Sequence, residues 1–135
     1  MKHENGKPCE RCEQKLTEAN PTLVSWFYWV KSNFPDTHIA WSFRDQASQD
    51  NAFFKGLSTL TWPNSKHNVV DENGKPCAEA LDLFQLGDDG KAYFLHAFYK
   101  NVHELTEKEM LPIKWGGTFK NFPDNDHFEL IRPVA

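Results

Sequence analysis

Hydrophobic residues recur at intervals of three and four along two long stretches of the chain, and this is the spacing of one face of an α-helix. The first repeat consists of Leu23, Trp26, Phe27 and Val30. Pro21 follows Asn20 at the start of this stretch, and proline is favoured at the first position of a helix. The pattern therefore predicts a helix over residues 21–33 whose aromatic side chains belong to the core.

A second helical repeat occupies residues 95–110. Its apolar positions are Leu95, Phe98, Val102 and Leu105. Two shorter segments, 9–19 and 46–56, are also predicted to be helical, and Gly56 is suited to end the latter because glycine tolerates the left-handed conformation of a helix cap.

Other segments are short and apolar, and the clearest of them alternates apolar and polar residues as a half-buried strand does. In residues 38–44, Ile39, Trp41 and Phe43 share one side. The predicted strands are 38–44, 80–86, 91–94, 112–115 and 126–130, and a tight turn at 87–90 joins the second to the third. Because turns rather than crossover helices connect most of them, the sequence predicts an α+β fold with a small antiparallel sheet flanked by helices.

The length, charge and composition of the chain indicate which classes of binding partner to expect. The chain has 135 residues, which suits a single domain over 1–135, and its formal net charge is −4. No basic stripe exists to neutralise phosphates, so nucleic acid is not expected as a partner. No apolar run is long enough to span a membrane, and the N-terminus lacks the apolar core of a signal peptide.

The chain contains three cysteines, which could bind a metal ion, remain free or form a disulfide. Cys9 and Cys12 form a Cys-x-x-Cys motif within an N-terminal extension over residues 1–20, and Cys77 lies far along the chain. The three thiols together with one histidine would suit a structural zinc site. Unligated reduced thiols are the simpler interpretation, and a disulfide is the third. We expect His38 to lie at the surface.

Three residues combine as ligands of the kind that a catalytic zinc ion uses. His67 lies in a loop, Asp82 in the strand 80–86 and His127 in the strand 126–130. Because side chains alternate faces along a strand, two adjacent strands can direct Asp82 and His127 into one cleft, which His67 reaches from its loop. Such a set leaves the fourth position of a tetrahedral zinc ion open for water. By spacing alone, three unrelated polar residues remain the alternative, because the helical signature His-Glu-x-x-His is absent.

A carboxylate beside such a site would act as the general base that activates the water molecule. Asp124 lies three residues before His127, and Asp126 lies directly next to it. We favour Asp124, since the immediate neighbour of a strand-borne ligand points to the opposite face. Glu129 shares the face of His127 and is a candidate hydrogen-bond acceptor for its ring.

A positive side chain would complete the site by stabilising the oxyanion that forms during amide hydrolysis. Arg44 ends the strand 38–44 and is the only arginine in the middle of the chain. A place near the scissile carbonyl, or against a substrate carboxylate, would suit it. The alternative is a salt bridge at the surface.

Taken in order, these segments resemble a superfamily of zinc peptidases. The matching pieces are Ser42-Phe43-Arg44, Ser65-Lys66-His67-Asn68, Ala80-Leu81-Asp82, Trp115-Gly116-Gly117 and Asp124-Asn125-Asp126-His127-Phe128-Glu129-Leu130. The superfamily cleaves stem peptides of peptidoglycan and includes D-alanyl-D-alanine carboxypeptidases, phage L-alanyl-D-glutamate endopeptidases and the hedgehog signalling domain. The chain departs from it in an insertion around Asn73-Gly74, and the Cys-x-x-Cys extension lies outside the resemblance.

For the site, the resemblance implies one zinc ion per chain held by His67, Asp82 and His127. It also implies that Asp124 is the catalytic base and that Arg44 lies near the scissile carbonyl. The implied fold is a single hedgehog-like or DD-peptidase-like domain, in agreement with the pattern of strands and helices.

For the function, the resemblance implies a zinc metallopeptidase that cuts a stem-peptide bond, L-Ala–D-Glu in the first place, as a phage endolysin does. A D-Ala-D-Ala carboxypeptidase of the same fold and a non-catalytic zinc-containing module that binds cell wall are the alternatives. Retention of Asp124 favours catalysis, because a binding module needs no base. We expect a monomer that is made in the host cytoplasm without a signal peptide and acts on periplasmic peptidoglycan after release.

Overall fold

A computed structural model of the chain describes residues 9–132. Four α-helices and five β-strands follow one another along the chain. They are α1 (Glu10–Leu16), α2 (Pro21–Asn33), β1 (Thr37–Trp41), α3 (Gln46–Phe54), β2 (Ala80–Leu86), β3 (Ala92–Tyr93), α4 (His96–Lys108), β4 (Ile113–Trp115) and β5 (His127–Leu130). Single turns of 3₁₀-helix occur at Lys66–Asn68 and Gly116–Thr118.

The strands form one antiparallel sheet in the order β1-β2-β5-β4, with the short β3 paired to β2. The α+β fold with a small antiparallel sheet and helices packed around it, expected from the sequence, is confirmed. Within residues 9–132, no helix combines the length and the apolar character that crossing a bilayer requires.

Helices α2 and α4 supply most of the core. All four residues of the first helical repeat are buried, and the ring of Trp26 lies 5.2 Å from that of Phe128 on β5. On α4, Phe98, Tyr99 and Val102 are buried, and the Tyr99 hydroxyl donates to the carbonyl of Leu83 at 2.6 Å. These contacts fix β2 and β5 against the helices, so the faces of both strands are defined.

The prediction for residues 95–110 was too long at both ends. Leu95 is the N-cap of α4 and is 56% exposed rather than part of the apolar face. The helix ends at Lys108, and Met110 beyond it adopts a positive φ of 55°. Phe98 and Val102, one helical turn apart, therefore carry the packing.

Strand β1 also ends earlier than predicted, at Trp41 instead of Arg44. The register with β2 shifts between Ile39 and Trp41, so the following residues leave the sheet. The backbone N–H of Arg44 donates instead to the carbonyl of His67 at 2.9 Å. This departure from the sheet joins the end of β1 to the loop that carries His67.

Candidate metal centre

The pairing of β2 with β5 brings two of the predicted ligands together. Asp82 and His127 are direct partners across these antiparallel strands, so their side chains lie on the same face of the sheet. His67 approaches from the 3₁₀ turn, and all three residues are buried. Their ligand atoms lie within 4.8 Å of one another.

Buried hydrogen bonds hold the loop that carries His67. The Ser65 hydroxyl accepts from the His67 N–H at 3.1 Å, and the Asn68 side-chain oxygen accepts from the Ser65 N–H at 3.0 Å. The Asn68 amide donates to the Arg44 carbonyl at 3.1 Å and to the Gln49 side chain at 3.2 Å. These side-chain hydrogen bonds therefore fix the 3₁₀ turn that carries His67.

The ring of His67 is oriented as a metal ligand would be. Its Nδ1 lies 2.7 Å from the Ser42 carbonyl, which can only accept, so Nδ1 carries the proton. In a neutral ring, Nε2 then presents a lone pair to Asp82 Oδ1, 3.1 Å away. Two acceptors at this distance need a proton or a cation between them, and a hydrogen-bonded far nitrogen is the usual arrangement of a histidine ligand.

His127 meets a carboxylate at both ring nitrogens. Its Nδ1 lies 3.1 Å from Asp82 Oδ1 and its Nε2 lies 2.9 Å from Glu129 Oε1. Burial by itself lowers the pKa of His127, but hydrogen bonds to Asp82 and Glu129 and the negative charges of Asp82 and Asp124 raise the pKa to about 10. A cation at Nδ1 would meet the same demand for positive charge, while Glu129 accepts the remaining N–H.

Arg44 is buried beside the ligands, so the surface salt bridge considered for it is wrong. Its Nη2 lies 3.0 Å from Asp82 Oδ2, and its guanidinium carbon lies 5.1 Å from the centre of the Trp41 ring. The Nε atom is buried and has no hydrogen-bond partner among the described residues. By holding Oδ2, Arg44 leaves Oδ1 directed at the two histidines.

The donor set fits a zinc ion in chemistry and in spacing. Tetrahedral zinc with bonds of 2.0–2.2 Å to nitrogen and oxygen would separate its ligand atoms by roughly 3.4 Å. Both separations from Asp82 Oδ1 are 3.1 Å. Burial alone would raise the pKa of Asp82, yet the histidine charges and hydrogen bonds hold it well below its usual range, so the carboxylate is ionised.

Asp124 lies at the edge of this cluster. One of its carboxylate oxygens is within 4.8 Å of oxygens of both Asp82 and Asp126, and its side chain lines the same cleft as His67 and His127. Its carboxylate is not part of the cluster of ligand atoms that contains the two histidines, and the residue is half-buried. Asp124 is thus next to the candidate ligand Asp82, and it also lines the cleft.

Asp126 has a role that the sequence did not suggest. Burial, a hydrogen bond with Asp124 and the negative charges of Asp82 and Asp124 raise the pKa of Asp126 to about 9. The protonated form of Asp126 is therefore favoured near neutral pH, next to the Asp124 carboxyl group. It does not line the cleft itself, so it contacts the candidate base rather than any substrate.

The ligands open into a cleft of about 470 Å³. Its lining includes four apolar residues, Leu57, Leu60, Phe119 and Phe122. Three lysines, Lys66, Lys114 and Lys120, also line it, together with the buried guanidinium of Arg44. The cleft thus combines apolar surface with an excess of positive side chains, and suits an extended ligand that carries carboxylates.

Gly116 allows the Asp124 segment to pack closely. A Cβ at Gly116 would collide with the Asp124 carbonyl oxygen and come within 3.0 Å of His127 Cβ. The Gly116 carbonyl accepts from the Asp124 N–H at 3.0 Å. We expect Gly116→Ala to displace Asp124 and to destabilise the fold by about 1–3 kcal/mol, as overpacking does.

Thermal unfolding together with metal content measures this effect of Gly116→Ala. Gly74→Ala is the control for the added methyl group, because a Cβ at Gly74 would meet nothing within 4 Å; unlike Gly116, Gly74 has a positive φ of +79°. The control is expected to lose roughly 1–2 kcal/mol from backbone strain alone and to keep its metal content. Equal behaviour of the two variants at the metal site would show that this contact does not position Asp124.

Not all predicted candidates belong to this site. Cys77 joins neither of the other cysteines in a ligand group within residues 9–132, so a site that uses all three thiols is wrong. His38, expected at the surface, is 5% exposed and lies beside Cys9 and Cys12.

Comparison with known proteins identifies a solved structure with a similar fold. No protein-family model matches the chain, and no curated protein matches its sequence. Among solved structures, it is similar to the L-Ala D-Glu endopeptidase ChiX of Serratia marcescens, with 21% sequence identity and a TM-score of 0.68. The alignment covers 90% of this chain and 86% of that chain. The two proteins share a fold.

Proposed function

We propose that this chain is a zinc-dependent peptidase that hydrolyses the L-Ala–D-Glu bond of the peptidoglycan stem peptide. One observation carries the proposal: two buried histidines and a buried aspartate meet at the base of a cleft, with Asp124 beside them. The shared fold with an L-Ala D-Glu endopeptidase supports the choice of substrate, since 90% of the chain takes part in it.

A zinc ion held by His67, Asp82 and His127 would supply Lewis acidity, which polarises a carbonyl and lowers the pKa of a water molecule. Side chains of the protein would carry out proton transfer, positioning and charge stabilisation. Asp124 accepts the proton of the attacking water and delivers it to the leaving amine. The proton on Asp126 holds the Asp124 carboxylate in place by a hydrogen bond. Arg44 keeps Asp82 oriented, and we propose that its positive charge also stabilises the oxyanion.

The lysines of the cleft suit the proposed substrate. A stem peptide contains D-Glu, and cleavage beside it requires that its carboxylate be held in register with the scissile bond. Lys66, Lys114 and Lys120 are the cleft residues able to provide this contact. Lys114 is already held over the Phe119 ring, with its Nζ 5.3 Å from the ring centre.

We further propose that residues 1–135 act as one domain and as a monomer in phage-induced lysis. The enzyme would be made in the host cytoplasm and would reach periplasmic peptidoglycan after release. The net charge of the chain, −4, argues against nucleic acid as its main partner.

Mass spectrometry of purified peptidoglycan after digestion tests the proposed activity. The expected products are glycan strands that keep only L-Ala and peptides that begin with D-Glu. Treatment with a chelator should abolish both, and added zinc should restore them. Release of free D-Ala instead would show a carboxypeptidase of the same fold, and binding to peptidoglycan without any product would show a non-catalytic module.

A further inference from the structure

A second group of metal-binding side chains lies outside the candidate active site. Cys9 directly precedes α1, Cys12 lies within that helix and His38 lies on β1. The two sulfur atoms are 3.4 Å apart, and His38 Nδ1 is 3.4 Å from Cys9 Sγ and 3.5 Å from Cys12 Sγ. Three donor atoms therefore form a nearly equilateral triangle.

The size of this triangle is that of one face of a zinc tetrahedron. Zinc bonds of 2.3 Å to sulfur and 2.0–2.1 Å to nitrogen would place two sulfurs roughly 3.8 Å apart and a sulfur and a nitrogen roughly 3.6 Å apart. The three separations fall within a few tenths of an ångström of these values. A disulfide would require a sulfur separation of about 2.0 Å, and both cysteines are free in the structure.

Burial raises the pKa of the Cys12 thiol to about 11, and two neighbouring groups act in the opposite direction by stabilising negative charge on sulfur. The backbone N–H of Ile39 donates to Cys12 Sγ at 3.4 Å, a contact that stabilises negative charge on sulfur. Lys31 is fully buried, donates to the Thr37 carbonyl at 2.9 Å and interacts electrostatically with both cysteines. A buried ammonium group is costly unless negative charge lies near it.

The orientation of His38 is set by packing on the sheet. Its ring stacks on Phe84 of the neighbouring strand β2, with 5.4 Å between the ring centres and 24° between the planes. Phe84 and His38 are direct partners in the register of β1 and β2. The imidazole is therefore held by the sheet in a position from which Nδ1 faces both sulfurs.

We infer that Cys9, Cys12 and His38 bind a second, structural zinc ion that joins the N-terminal helix α1 to the edge strand β1. Binding replaces the two thiol protons with the metal. A water molecule completes the tetrahedron. Thiolate ligands favour zinc over magnesium or calcium, which prefer oxygen.

Such a metal ion would reinforce contacts that already connect α1 to β1. The Lys15 ammonium group donates to the carbonyls of Ile39 at 2.9 Å and of Ala40 at 3.2 Å. The Ser42 hydroxyl donates to the Lys15 carbonyl at 2.7 Å. Because the Ser42 carbonyl in turn accepts from His67, the structural ion would stabilise the segment that orients a ligand of the first site.

Cobalt substitution of the reduced full-length protein tests this inference. A cobalt ion bound to thiolate shows a sulfur-to-metal charge-transfer absorption in the near ultraviolet, and His67, Asp82 and His127 offer no sulfur. We expect the band in the wild type and, at equal intensity, in Cys77→Ser. Since the chain has three cysteines in all, a band in Cys77→Ser must arise from Cys9 and Cys12. Absence of the band in the reduced wild type would overturn the inference.

Two further variants separate this site from the proposed peptidase site. Cys9→Ser/Cys12→Ser is expected to lose the band and one zinc ion per chain. His67→Ala/His127→Ala is expected to keep the full band, whether or not the protein hydrolyses peptidoglycan. A band that persists without Cys9 and Cys12 would contradict the assignment. Should the cysteine double variant not fold, the spectra of the wild type and Cys77→Ser still decide the question.

Discussion

Replacing Asp124 by asparagine is expected to lower the rate of stem-peptide hydrolysis by about 10²–10⁴-fold, the contribution of a general base. The change removes the proton acceptor but leaves His67, Asp82 and His127 untouched, so the zinc content should not change. Initial rates on purified peptidoglycan and zinc per chain, measured on the same preparation, check both parts of this expectation.

Asp126→Asn is the matched control for Asp124→Asn. Oxygens of the two carboxyl groups lie within 4.8 Å of each other, and the pKa of Asp126 is raised to about 9. An asparagine amide can still donate to Asp124, and we expect activity within a few-fold of the wild type. Loss of zinc in Asp124→Asn, or a larger loss of activity in Asp126→Asn, would mean that Asp124 is not the base.

The substitutions His67→Ala and His127→Ala are each expected to abolish hydrolysis and to remove one zinc ion per chain relative to the wild type. Either change leaves only two protein ligands for the metal ion. It also removes one of the two histidines beside the ionised, buried Asp82. The loss of affinity should exceed the roughly 10–100-fold that removal of an outer hydrogen-bond partner causes. Elemental analysis by mass spectrometry gives the zinc content, and the digestion assay gives the activity.

His96→Ala controls for the removal of an imidazole. His96 is the first residue of α4, is exposed and belongs to no ligand group among residues 9–132. It should keep the zinc content and the activity of the wild type. If a variant of His67 or His127 also retained its full zinc content, the assignment of these ligands would be wrong.

Local periodicity was enough to predict the regular elements. Helix α2 and strand β2 have the predicted bounds, because proline and asparagine fix the start of the helix and an apolar run defines the strand. The ends of β1 and α4 were misplaced, and for β1 the reason is a long-range contact. Arg44 leaves the sheet to bond the His67 loop, and that partner is remote in sequence.

All three candidate ligands were named from the sequence, but a physical reason for their arrangement was available only for the two that lie on strands. Alternation along β2 and β5 was sufficient to place Asp82 and His127 on one face. The hydrogen bonds of Asn68 and Gln49 that hold His67 have no periodic signature, so they were found only in the structure. The raised pKa of Asp126 likewise depends on burial and on the neighbouring carboxylates Asp82 and Asp124, which the sequence does not encode locally.

The environment of His38 was misjudged for a related reason. Alternation along residues 38–44 placed it on the polar side of an edge strand. Helix α1 covers that side, and Lys15 of this helix donates to two carbonyls of β1. The alternation along β1 predicted that His38 faces solvent. Helix α1, which belongs to the N-terminal extension, buries it instead.

The central claim is that His67, Asp82 and His127 hold one zinc ion beside Asp124. An anomalous difference map from a crystal, measured on both sides of the zinc absorption edge, tests it most directly. The account predicts a peak bonded to His67 Nε2, Asp82 Oδ1 and His127 Nδ1. A zinc-loaded, active protein with no peak among these three atoms would contradict it.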